Sequence, residues 1–304
     1  MPFEVFILGN NSAIPAHGRH PTSQVVFHNE KIFLIDCGEG TQMQLAKYKI
    51  KKSRIEHIFI SHLHGDHYFG LIGLLTSYHL MRRELPVHIY GPEKLLDIIQ
   101  LQLDVAGTKL CYNLIFKCVT DESETLIFEN HELTIKSFPV KHRIPTTGFF
   151  FREKEKQRNI IGEKIEGLNL PVEIITNLKK GIAGEWNEKK FSVEEFTTAP
   201  LPPSTYAFCA DTIFHEELKK HIDGCDMIYH ESTFMDESAE RAVITFHSTA
   251  KQAATMANLC GVKKLLLGHF SAKYENLEPL LAEAKTIFEN SFLAIEGEKF
   301  STAN

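Results

Sequence analysis

Residues 55–67 read Ile-Glu-His-Ile-Phe-Ile-Ser-His-Leu-His-Gly-Asp-His, an apolar strand that breaks into a loop of imidazoles and a carboxylate. The loop carries His62, His64, Asp66 and His67. A strand rigidly sets the origin of the loop that follows it. The alternating His62 and His64 can then point to one side while Asp66 and His67 turn toward a neighbouring position, with Gly65 supplying the turn. Imidazole nitrogen and carboxylate oxygen are the donors that Zn²⁺ takes at a catalytic site. A merely solvated His-rich loop would account for the histidines but not for Asp66 and the Gly65 turn.

The same arrangement recurs further along. Ser137-Phe138-Pro139-Val140 runs into Lys141-His142, residues 206–210 (YAFCA) into Asp211, Met227-Ile228-Tyr229 into His230-Glu231, and Leu265-Leu266-Leu267-Gly268 into His269. One histidine at a strand end is usually a hydrogen-bonded structural residue. Five strands ending at His or Asp shift that balance, because strand ends in an α/β sheet gather along one edge, where such folds place their sites. The joint reading is a site assembled from His62, His64, Asp66, His67, His142, Asp211 and His269. Seven donors are too many for one tetrahedral zinc and suit two metals that share a carboxylate. Asp211 is the natural bridge, since a carboxylate has two oxygens where an imidazole offers one free nitrogen. Such a pair serves in-line displacement at phosphorus.

Around this constellation the chain alternates strands and helices. EVFILG, SQVVFH and KIFLIDCG read as short strands, and VHIYG as a buried one. Residues 38–50 predict a helix capped by Thr41, with Met43, Leu45, Ala46 and Ile50 on its apolar side. Further helices are predicted over 71–83, over a run opened by Pro92 and closed by Gly107, and from Ser248 to Leu259. The pattern is that of an α/β layered domain with covered sheets. Residues 151–200 break the rhythm: 36% are charged against 24% for the chain, with little clean periodicity. This stretch reads as an insertion projecting from a single domain that spans 1–304, and not as a domain of its own.

Composition bounds the function. The 304 residues have 43% hydrophobic content, which excludes a disordered or fibrous chain. No apolar run of about 18 residues is present, so no membrane span is expected, and the N-terminus lacks the basic opening of a signal peptide. Cys37, Cys111, Cys118, Cys209, Cys225 and Cys260 form no CxxC pair and read as reduced thiols of a cytoplasmic protein. A net charge of −6 counts against wholesale nucleic-acid binding but leaves room for a local basic patch. Between Arg152 and Lys190 nine basic and seven acidic residues give +2, on a chain that is otherwise −8. The 22 phenylalanines, at strand spacing, read as core. His17, Arg19 and His20 either line a phosphate path or cap a turn.

SHLHGDH followed by His142, Asp211 and His269 resembles the metallo-β-lactamase superfamily. The segments LGNNSAIPAHGRHPTSQ, LIDCGEGTQMQL, SHLHGDHYFGLIGLL, FCADT, HESTF and FHSTAKQA are more specific, and together they resemble the ribonuclease Z family over residues 3–293. The resemblance implies a four-layer αββα metallo-β-lactamase sandwich with a protruding flexible arm at 152–200. It implies an endoribonuclease that removes the 3′ trailer of precursor tRNA by metal-hydroxide attack, leaving a tRNA 3′-hydroxyl and a 5′-phosphorylated trailer. Carried over by position, one zinc falls to His62, His64, His142 and Asp211, and the other to Asp66, His67, His269 and the shared Asp211. Asp66 would orient or deprotonate the attacking water. His247 would assist phosphate binding and protonate the leaving group, with Glu231 as its partner. The start of the helix beside His247 is expected to offer free N–H groups to a phosphate. The arm would grip the tRNA away from the catalytic centre, although its tip, LPVEIITNLKKGIAGEW, lacks a clear Gly/Pro-rich turn, and Ser232 stands where the family commonly has alanine. Also implied are a homodimer, a cytoplasmic setting and no nucleotide cofactor. Two other readings compete: a dinuclear zinc hydrolase of small phosphodiesters, aryl sulfates, lactones or thioesters, and an RNA-binding subunit with a dead site.

Overall fold

In the computed structural model, which describes residues 2–303, the apolar runs become strands and the periodic runs become helices. The chain separates into two compact units: His131–Leu133 with Glu153–Pro203, and the remainder.

Among the described residues, the larger unit holds two seven-stranded sheets. The first is ordered Lys299–Ser301, Glu4–Gly9, Ser23–His28, Lys31–Ile35, Ile55–Phe59, Val87–Gly91, Leu114–Cys118, and its last four strands run parallel. The second is ordered Ser291–Leu293, Lys264–Gly268, Met227–Glu231, Thr205–Cys209, Thr147–Glu153, Leu133–Pro139, Thr125–Glu129, and its first four run parallel. Parallel strands deliver their C-terminal ends to one side of a sheet. Asp36 and the 60–67 loop therefore leave the first sheet together, and Asp211, Glu231 and His269 gather on the second. Backbone bonds tie these edges to each other, from Thr147 N–H to the Ser61 carbonyl (3.1 Å) and from Ser12 N–H to the Phe270 carbonyl (2.8 Å).

The sheets pack face to face through aromatic rings. Phe59 meets Phe149 (5.4 Å between centroids) and Phe151 (5.9 Å), while Phe33 (5.8 Å) and Phe3 (6.0 Å) also reach Phe151. The Tyr206 hydroxyl donates across the sandwich to Gln24 Oε1. Helices Thr41–Lys47, Leu71–Leu80 and Lys94–Val105 bury Leu45, Leu71, Leu74, Leu75, Leu95 and Ile99 against Leu34, Ile58 and Ile89. Helices Ala250–Leu259 and Glu278–Lys285 bury Ala253, Ala254, Ala257, Leu280 and Ala284 against Ile228, Leu265 and Leu267. Helix, sheet, sheet, helix is the expected order of layers.

Local details depart from expectation at the first helix. Gly40, at φ 83°, is the N-cap, and Thr41 lies inside the helix with its hydroxyl donating to the Gly38 carbonyl (2.8 Å). Leu45 is buried, but Met43 is 71% exposed. Gly38 itself is required by a close approach. A Cβ there would stand 2.4 Å from the Asp66 carbonyl oxygen, so only glycine lets the turn after Asp36 close on the histidine loop.

The smaller unit has a core of its own: Leu178, Phe191, Val193 and Phe196, with Ile160, Ile165, Leu168, Leu170 and Ile174 packed around them. It holds helix Val172–Lys179 and a hairpin of Gly184–Trp186 with Lys189–Phe191. The hairpin turns through Asn187 (φ 49°) and Glu188 (φ 62°), both left-handed as a two-residue turn demands. The reversal thus needs no Gly/Pro-rich tip.

His57 lies between the layers, stacked on His88 at 4.8 Å and edge-on to Phe128 at 4.7 Å. Burial, helped by His88, pushes its imidazole down to about 3. The unfolded chain protonates this ring near pH 6.5 and the folded chain does not, so its contribution is complete above about 6.5 and is lost as pH falls toward 3. From pH 7 to pH 5 that loss is about 2 kcal/mol. Denaturant titrations at fixed metal load should show the stability difference between His57→Phe and wild type moving in the variant's favour by about that amount.

Candidate metal centre

The strand ends bring the donor atoms into overlapping groups. His62, His64, His142 and Asp211 form the first, Asp66, His67 and His269 the second, and Asp211, His247 and His269 a third that shares members with both. In the first, His62 Nε2 lies 2.9 Å and His142 Nε2 3.2 Å from His64 Nδ1. In the second, His67 Nε2 stands 3.3 Å from His269 Nε2, and Asp66 Oδ2 lies 3.6 Å from the former and 3.4 Å from the latter. Asp211 faces both. Its Oδ2 is 3.6 Å from His62 Nε2 and 4.0 Å from His142 Nε2, while its Oδ1 is 3.4 Å from His67 Nε2 and 3.3 Å from His269 Nε2. Tetrahedral zinc with bonds of about 2.1 Å separates its donors by roughly 3.4 Å, so these spacings fit the ion. Such a set of imidazoles and carboxylates binds metal.

Neighbouring groups hold the rings in place, as they do around metals generally. Asp36 Oδ2 accepts from His67 Nδ1 (2.7 Å), and Asp36 is itself held by the Ser61 N–H and hydroxyl at 2.8 and 2.9 Å. The Phe246 carbonyl accepts from His142 Nδ1 (2.8 Å), and Thr233 Oγ1 lies 2.9 Å from His269 Nδ1. Asp36, Phe246 and His269 have φ of 54°, 58° and 59°, so some of the chain's backbone strain lies where these groups are aimed. Burial opposes the charges here, but the imidazoles outweigh it and hold Asp66 and Asp211 well below the usual carboxylate range.

Glu231 is fully buried and accepts from the Thr212 N–H (3.0 Å), the Thr233 hydroxyl (2.7 Å) and His247 Nδ1 (2.8 Å). The His247 ring lies 5.1 Å from that of His142 and 5.3 Å from that of His269. Burial works against its charge, but Glu231 prevails and carries it up to about 9. Strand alternation turns His230 the other way, with its Nδ1 bonded to the Glu231 carbonyl (2.7 Å).

The helix after His247 does not offer its N–H groups to a ligand. Thr249 and Gln252 close a capping box, the Ala250 N–H goes to the Phe234 carbonyl (2.8 Å), and the Lys251 N–H goes to Glu283 (3.2 Å). The expected phosphate cradle is therefore spent on the fold. The loop at 16–20 is likewise spent. His17 Nε2 meets the Ala272 carbonyl, His20 pairs with Glu296, and Arg19 donates to Asn11 Oδ1 and to the Tyr274 and Glu275 carbonyls. Sequence reasoning missed Asp36, although it too closes an apolar strand, and it missed Ser61, Thr233 and the Phe246 carbonyl, for which no pattern speaks.

Ribonuclease Z of Bacteroides fragilis is 42% identical over 295 residues, covering 97% of each chain. The chain belongs to the ribonuclease Z family. Ribonuclease Z of Cytophaga hutchinsonii is also 42% identical, over 303 residues covering 99% of this chain and 96% of that one. A family model described as anti-Pycsar protein Apyc1 matches residues 3–160. That match stops short of Asp211, His247 and His269, whereas the ribonuclease Z relatives span the entire donor set and decide the assignment. The crystal structure of human tRNase Z, short form, superposes with a TM-score of 0.73 at 27% identity, covering 99% of this chain and 100% of that one. The metallo-β-lactamase fold protein YhfI of Bacillus subtilis, at 17% identity and a TM-score of 0.69 over 99% of both chains, shares the fold.

If Asp36 acts by aligning His67, Asp36→Asn should lower metal affinity roughly 10- to 100-fold. Competition with a chromogenic chelator measures this, and Asp211→Ala should be the more damaging of the two.

Proposed function

We propose that this protein is a zinc-dependent endoribonuclease that removes the 3′ trailer of precursor tRNA, leaving a 3′-hydroxyl on the tRNA and a 5′-phosphate on the trailer. The observation that carries the reading is the division of Asp211, one oxygen toward each donor group. Two zinc ions would be held, the first by His62, His64, His142 and Asp211, and the second by Asp66, His67, His269 and the other oxygen of Asp211. Zinc so held supplies Lewis acidity that activates water and stabilises charge at phosphorus. Asp66, kept ionised by its histidine neighbours, would orient or deprotonate the attacking water. His247 bonds Glu231 through Nδ1, which leaves Nε2 to give a proton to the departing 3′ oxygen. Glu231, with its oxygens taken by Thr212, Thr233 and His247, sets the direction of that ring.

The smaller unit supports the role of a tRNA-gripping arm. Lys164, Lys189 and Lys190, with Glu195, line one cavity of about 510 Å³ within it, a net positive lining suited to phosphates. Six free cysteines support a reducing, cytoplasmic setting. No helix among the described residues is long and apolar enough to cross a membrane. Exposed Leu80, Leu101 and Val105, on the helices over the first sheet, supply apolar surface for the homodimer that the resemblance implies.

Incubation with a precursor tRNA and with a chromogenic phosphodiester, followed by end-group analysis, tests the activity. Cleavage of the small ester alone would overturn it. His247→Ala should keep its zinc and cleave the precursor about 10²–10⁴-fold more slowly, as expected for loss of a general acid; a wild-type rate would remove His247 from the chemistry. Replacing residues 154–202 with a Gly/Ser linker should raise KM for precursor tRNA steeply while the chromogenic ester turns over at a comparable rate. Loss of both activities would instead make those residues part of the core fold.

A further inference from the structure

Four of the five clustered imidazoles present their outer ring nitrogen to an oxygen that can accept from it. His67 faces Asp36, His142 faces the Phe246 carbonyl, and His269 faces Thr233 Oγ1, whose own hydrogen goes to Glu231 (2.7 Å). His62 Nδ1 lies 3.0 Å from Ser61 Oγ, whose hydrogen goes to Asp36. His64 is the exception. It turns Nδ1 inward, and its outer nitrogen, Nε2, lies 3.2 Å from Arg143 Nε.

A guanidinium only donates. An imidazole that gives its Nδ1 lone pair to a metal carries its proton on Nε2, so in the loaded centre two N–H donors face one another. What such a pair lacks is a shared acceptor. Arg143 is exposed, and among the described residues no carboxylate pairs with it. Arg19, by contrast, is committed to three oxygens of the fold.

We propose that His64 Nε2–H and the Arg143 guanidinium form a subsite for a phosphate oxygen of the RNA, beside the metal centre. The proposal rests on the RNA-processing reading above. The oxygen takes one hydrogen from His64 and one from the guanidinium, whose planar fork leaves further donors for a second oxygen of the same group. Arg143 is thereby a substrate-binding residue that also locks the outer face of His64 once substrate arrives.

The test uses the full chain loaded with zinc, in a His247→Ala background that slows cleavage. Binding of precursor tRNA is followed by fluorescence anisotropy across a salt series. Arg143→Ala should keep wild-type zinc content, raise Kd roughly 10-fold or more, and reduce the slope of log K against log salt by about one. Arg143→Lys should keep the slope and restore only part of the affinity, since a point charge cannot replace the fork. Loss of zinc from Arg143→Ala would show that the arginine merely supports His64, and unchanged Kd and slope would show that it touches no phosphate. Either result overturns the subsite. If the parent protein does not bind precursor tRNA at all, the RNA reading fails separately. The subsite then stands or falls on bis(p-nitrophenyl) phosphate, for which Arg143→Ala in the wild-type background must raise KM.

Discussion

A carboxylate buried between two groups of imidazoles is the constraint on which this structure turns. Asp211 is 2% exposed, and taking such a charge out of water is expensive unless opposite charge or a metal meets it. Here the compensation arrives on several strands at once. His62 and His67 come from the loop after Ile55–Phe59, His142 follows Leu133–Pro139, and His269 follows Lys264–Gly268. No single segment could supply them, so the two sheets must be stacked with their strand ends in register before the carboxylate is satisfied. The aromatic seam of Phe3, Phe33, Phe59, Phe149 and Phe151 sets that stacking.

Orientation is delegated one step outward. Asp36, Ser61, Thr233 and the Phe246 carbonyl lie outside the donor set, yet each bonds the outer nitrogen of a histidine and so fixes which nitrogen faces inward. Glu231 serves His247 in the same way and is itself held by Thr212 and Thr233. The price is backbone strain at Asp36, Phe246 and His269. His64 stands outside this system, and that exception is informative because every other ring is satisfied.

The smaller unit solves a different problem. Its buried residues, Leu178, Phe191, Val193 and Phe196, close a core without borrowing the catalytic strands.

How much of this was legible beforehand follows from how each residue announces itself. The histidine loop after an apolar strand, and the later strands that end at His142, Asp211 and His269, were readable because ligand chemistry restricts residue type and strand periodicity restricts placement. The fold class followed from the same alternation together with the family resemblance. Other features had no linear signature. Whether the helix after His247 offers its N–H groups depended on Gln252, Phe234 and Glu283 reaching it, and whether Arg19 or Arg143 is free depended on which carbonyls lie nearby. Sequence alone thus determined which side chains have the chemistry to hold metal and move protons. Only the tertiary structure decided which of their nitrogens and oxygens point inward, because hydrogen-bond partners are set by proximity in space and not by order along the chain.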